Sequence, residues 1–120
     1  MTAELVDVRW ETVCAYERLL PERGVAVLLS GSARGESVQV ALFRTHEGAV
    51  HALGNIDPFS DAAVLSRGIV GDRAGVPMVT SPVYKQAFSL LDGRCLDDPA
   101  VSVPTYRVRV VDGWLQIGLP

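Results

Sequence analysis

The chain of 120 residues holds only two cysteines, Cys14 and Cys95, and two histidines, His46 and His51. The cysteines lie far apart without CxxC spacing, which excludes both a disulfide framework and a metal knuckle. Both are read as reduced, packed side chains, a common setting for cysteine. No GxGxxG or P-loop pattern occurs, so no phosphate-cradling turn is encoded. No apolar stretch approaches the roughly 20 residues of a membrane-spanning helix. Charge is not gathered into blocks either: the formal net charge of −3 comes from interspersed acidic and basic residues, leaving no footprint for nucleic acid or a membrane surface. Residues 1–7 include Glu4 and Asp7 and lack a basic segment followed by an apolar run, so they do not read as a secretory leader. A soluble, cytoplasmic protein is the expectation.

What is present is a chain with 48% hydrophobic residues, long enough to bury roughly two-thirds of its unfolded surface in one core. No repeat, low-complexity tract or linker divides it, so one domain is expected over 1–120, with its core at about 9–118. Short β-rich runs between glycine and aspartate turns predict an all-β antiparallel sandwich or barrel. The predicted strands are 9–14, 25–29, 38–44, 50–53, 78–80, 87–90, 106–111 and 114–117. The last hairpin is the clearest. Tyr106, Val108 and Val110 alternate with Arg107 and Arg109, and Asp112-Gly113 supplies a type I′ turn. Further turns are predicted at His46 to Gly48 and at Asp92-Gly93. One short helix is expected in the loop region, capped by Ser60, running to Ser66 and stopping at Gly68. Trp10 and Trp114 read as core or sheet-face residues, with interface anchoring as the other reading.

Two proline-containing loops, 55–60 and 81–86, are the places to look for function, because sites are built on loops held by a rigid scaffold. The run Val50-His-Ala-Leu-Gly-Asn55-Ile-Asp-Pro-Phe59, with the later run from Ser81-Pro-Val-Tyr84-Lys-Gln86 to Leu96, resembles the Rieske iron–sulfur domain. In that family each loop gives one cysteine and one histidine, spaced C-x-H and C-x-x-H. The resemblance places Asp57 and Phe59 at the first pair of positions, and Ser81 and Tyr84 at the second. A Rieske cluster needs two thiolates and two imidazoles. Asp57, Ser81 and Tyr84 offer only oxygen donors, suited to hard cations, and Phe59 offers none.

A Rieske-like domain without ligands, with Asp-Pro-Phe-Ser, the insert at 64–72 and Ser-Pro-Val-Tyr-Lys-Gln, is similar to the small subunits of assimilatory NAD(P)H-dependent nitrite reductases. The resemblance runs from about Trp10 to Ile117. It implies a cytoplasmic enzyme of nitrate assimilation that reduces nitrite to ammonium. It also implies that FAD, sirohaem, the iron–sulfur cluster and use of NAD(P)H belong to a large catalytic subunit, with no cofactor and no catalytic residue on this chain. The competing readings are a free-standing β-sandwich protein-binding module and a Rieske-type electron carrier. The altered loops are expected to be joined by stacking of Phe59 on Tyr84 and by acceptance at Asp57 of backbone N–H groups or the Ser81 hydroxyl. They either only fill space or dock the large subunit, with Arg67, Lys85 and Gln86 as exposed polar contacts. The stretch Arg67 to Asp72 is likewise either a connection or a partner contact.

Overall fold

The computed structural model describes residues 9–29 and 37–119; residues 1–7, read above for a leader, lie outside them. In chain order the strands are β1 (Arg9–Ala15), β2 (Arg23–Leu29), β3 (Val38–Arg44), β4 (Val50–Gly54), β5 (Ile56–Asp57) and β6 (Ala62–Ala63). They continue with β7 (Ile69–Arg73), β8 (Val76–Thr80), β9 (Ala87–Ser89), β10 (Thr105–Val111) and β11 (Trp114–Leu119). Every strand expected from the sequence coincides with an observed one to within two residues at either end. A six-stranded antiparallel sheet has the order β1-β11-β10-β4-β3-β2, a three-stranded sheet the order β7-β8-β9, and β5 pairs with β6 alone.

Strand β3 explains why the chain has two hydrophobic clusters. Its residues Val40 to Phe43 are all buried, with none of the alternation a half-exposed strand shows. Val40 and Leu42 face a cluster with Leu19, Leu29, Ala52, Leu115, Ile117 and Leu119 inside the curl of the large sheet. Ala41 and Phe43 face the other way, into a cluster with Leu53, Leu65, Val70, Val79, Phe88 and Cys95, to which each strand of the small sheet gives one residue. β3 and β4 are thus a shared wall. Both cysteines are free; Cys95 is buried in the second cluster and Cys14 only partly covered. Burial pushes the Cys14 thiol pKa up, against a smaller opposing effect of Arg18.

The expected turns are present. Asp112 and Gly113 have φ of 52° and 82°, the two left-handed residues of a type I′ turn. The Gly48 N–H donates to the Thr45 carbonyl at 3.0 Å. The Gly93 N–H donates to the Ser89 carbonyl at 2.9 Å, and Phe88 bridges back to Cys95 after the turn.

Two local expectations are corrected. The short helix of the loop region is a single 3-10 turn, Leu65–Arg67, and not an α-helix begun at Ser60. The Asp57 carbonyl accepts from the N–H groups of both Ser60 and Asp61, Asp61 takes φ of 60°, and the Ser60 hydroxyl accepts from the Ala62 N–H. Those short-range bonds turn the chain before a helix can nucleate. The stretch Arg67 to Asp72, expected as either a connection or a partner contact, is no mere connection: it runs into β7, whose five residues all pair with β8 through a tight turn at Ala74-Gly75. A second 3-10 turn, Tyr16–Arg18, was not foreseen.

Candidate functional site

Loops 55–60 and 81–86 leave the ends of β4 and β8 and meet at a buried hydrogen bond. Asp57 is 0% exposed, and the Ser81 hydroxyl donates to its Oδ2 at 2.5 Å. Its other oxygen, Oδ1, accepts from the Phe59 N–H at 2.8 Å. Both carboxyl oxygens are therefore engaged, as a buried acid requires. Ser81 also closes its own loop: its N–H donates to the Gln86 carbonyl at 2.9 Å, and its hydroxyl oxygen accepts from the Val83 N–H at 3.3 Å. The expected partnership of Asp57 with Ser81 and with backbone N–H groups is present.

The expected ring contact is not. Phe59 tilts against Phe88, with centroids 6.2 Å apart and planes at 49°, while Tyr84 is 61% exposed. Phe88 belongs to the second cluster, so burial draws Phe59 inward and away from the loop surface.

Sequence reasoning passed over Asn55. This side chain is buried; its Oδ1 accepts from the Ser66 N–H at 2.8 Å and its backbone carbonyl from the Leu65 N–H at 3.1 Å, which pins the 3-10 turn to the start of the first loop. The only signal was an amide residue directly after an apolar strand, a pattern shared with ordinary turns.

The three proposed polar contacts fare differently. Arg67 is exposed and ends the 3-10 turn. Gly68 follows it against the last residue of β8, where a Cβ would collide with the Thr80 carbonyl oxygen, so Arg67 sits beside the start of the second loop. Lys85 is exposed at the other end of that loop, in a left-handed conformation with φ of 68°. Gln86 is half-buried: its carbonyl is used by Ser81 and its Oε1 is buried.

Could these positions hold an iron–sulfur cluster? Two of the four side chains, Asp57 and Ser81, are spent on each other, Phe59 is a ring packed on Phe88, and Tyr84 brings a phenol. No thiolate or imidazole is offered, so the residues do not fit a Rieske cluster. The histidines and cysteines lie elsewhere: Cys14 on β1, His46 in the β3–β4 turn, His51 on β4 and Cys95 in the second cluster. Among the described residues, no three His, Cys, Asp or Glu side chains converge to hold a metal ion. Among them, too, no helix is long and apolar enough to cross a membrane.

A cleft of about 770 Å³ lies between the β3–β4 turn and the β7–β8 hairpin and is lined in part by Glu22, His46, Glu47, His51 and Asp72. Burial there holds the His51 imidazole pKa below its usual value.

Comparison with known proteins agrees with this geometry. Residues 9–118 match the family model of the Rieske-like [2Fe-2S] domain. The NADH nitrite reductase small subunit of Escherichia coli K12 is 43% identical over 110 residues, covering 91% of this chain and 96% of that one. A crystal structure described as an NADH-dependent nitrite reductase small subunit, from Mycobacterium tuberculosis, superposes with a TM-score of 0.86 at 59% identity, covering 94% of this chain and 96% of the other. A nitrite reductase [NAD(P)H] large subunit of Klebsiella oxytoca contains a stretch 39% identical over 109 residues, which is 91% of this chain but 11% of that much longer one. The chain belongs to the Rieske-like [2Fe-2S] domain family, and within it to the small subunits of nitrite reductases.

Proposed function

We propose that this chain is the non-catalytic small subunit of a cytoplasmic NAD(P)H-dependent nitrite reductase of nitrate assimilation, and that it supports or tunes a large catalytic subunit. The observation that carries the reading is the match to the E. coli small subunit, 43% identical over nearly the whole of both chains. The loop chemistry supports the non-catalytic half of it. The resemblance to the Rieske domain assigns the iron-ligand positions to Asp57, Phe59, Ser81 and Tyr84, and two of these side chains are bonded to each other. FAD, sirohaem, the iron–sulfur cluster and the nicotinamide site then belong to the large subunit. The Klebsiella relative supports that partner: a domain like this one is there part of the same chain as the large subunit.

The test is coexpression with the large subunit, pull-down through a tag on this chain, and assay of NAD(P)H-dependent nitrite reduction with and without it. A stoichiometric complex whose activity or stability depends on this chain is expected. No complex together with no change in activity would overturn the reading.

A further inference from the structure

We propose that the large subunit seats on the end of the molecule formed by Ile69, Val83 and Tyr84, with Arg67 and Lys85 at its edge. This inference rests on the small-subunit reading above and locates the contact that reading requires. Tyr84 is 61%, Val83 40% and Ile69 75% exposed. Ile69 pairs with Thr80, the residue just before the loop that carries the other two, and Arg67 stands two residues before Ile69. The register of β7 on β8 thus brings three exposed apolar side chains and two cations to one end of the small sheet.

The loop that presents Val83, Tyr84 and Lys85 is tied down at several points. Ser81 closes it from within, Asp57 ties it to the neighbouring loop, and Lys85 is held at φ of 68°, which costs a residue with a side chain about 1 kcal/mol or more. A preorganised loop loses little entropy on binding, and an exposed aromatic residue at its crest is the residue type that anchors interfaces. Neither Arg67 nor Lys85 forms an ion pair with a described residue, whereas Arg73 and Arg94 are each paired with an aspartate. The surface it fits is therefore apolar at its centre with carboxylates at its rim. The occupant follows from the Klebsiella relative, in which the chain beyond the matched stretch is the large subunit itself.

The rival surface is the outer face of β1, β11 and β10, where Trp114 is 51% exposed beside Val111. Its polar groups already satisfy one another. Arg109 donates to Gln116 at 2.7 Å and lies 4.0 Å above the Trp10 ring, and Gln116 donates to Thr12 at 3.0 Å.

The experiment measures affinity of the purified large subunit for wild-type chain, for the double variant Val83→Ala/Tyr84→Ala, and for Trp114→Ala, with thermal unfolding of each as the fold control. The double variant should lose roughly tenfold or more in affinity, and Trp114→Ala should match wild type. Independently of any variant, amide exchange at residues 83–85 should slow in the wild-type complex. If wild type binds and the double variant binds equally well, or if Trp114→Ala is the variant that loses affinity, this surface is wrong while the small-subunit reading stands. If wild type does not bind, both fall.

Discussion

At the scale of single residues, Asp57 ties the two loops together. Asp57→Ala removes the acceptor for two donors at once, the Ser81 hydroxyl and the Phe59 N–H. An unpaired buried donor costs about 1–3 kcal/mol, so the variant should lose about 2 kcal/mol or more in urea unfolding. A loss of a few tenths would mean that the loops are joined by apolar packing alone. His51 gives a pH signature. Burial lowers its folded-state pKa, so the unfolded chain takes up the proton first as pH falls below about 6.5. Its contribution is fully present above that value and is lost progressively as pH descends to the folded pKa. Stability should therefore fall on acidification through this window, and the slope should be shallower in His51→Gln. Equal slopes in the two proteins would remove His51 as the cause.

Among the elements, the β7–β8 hairpin shows both what the sequence concealed and how its turn can be tested. Ala74 and Gly75 take φ of 53° and 86°. Alanine pays about 1 kcal/mol or more in that region, whereas glycine enters it freely. Ala74→Gly should leave stability unchanged or raise it by up to about 1 kcal/mol, and Ala74→Val should lower it, as read from denaturant midpoints. A loss from the glycine variant would contradict the turn. The same residues explain why β7 was not legible. Ala-Gly is a poor turn signal, and Gly71 at the strand's centre breaks its β pattern. The β10–β11 hairpin was read correctly because its alternation and its Asp-Gly turn agree with each other. The segment 60–66 was misread because its helix signals were local, while the Asp57 carbonyl that captures Ser60 and Asp61 is fixed by the loop's tie to Ser81. The loop positions themselves were legible as motifs. The Phe59 partner was not, since Phe88 is distant in sequence and meets Phe59 only through the second cluster.

For the molecule as a whole, the consequence of having two clusters on one shared wall is cooperativity. β3 and β4 contribute to both clusters, so they are the path by which stability passes from one cluster to the other. Leu42 lies in the first cluster and Phe88 in the second, and both are fully buried. Leu→Ala in a core costs about 2–5 kcal/mol and Phe→Ala about 3–5. If the wall couples the clusters, either substitution lowers one common unfolding transition. Trp10 and Trp114 both stand on the large sheet, so tryptophan fluorescence reports that sheet, while amide exchange at Val79 and Phe88 reports the small one. Phe88→Ala should therefore shift the fluorescence transition as far as it shifts exchange at Val79, and Leu42→Ala should speed exchange at Phe88. A fluorescence midpoint left at the wild-type position by Phe88→Ala would mean that the small sheet opens by itself. The loops would then depend on the partner, and not on β3 and β4, for their order.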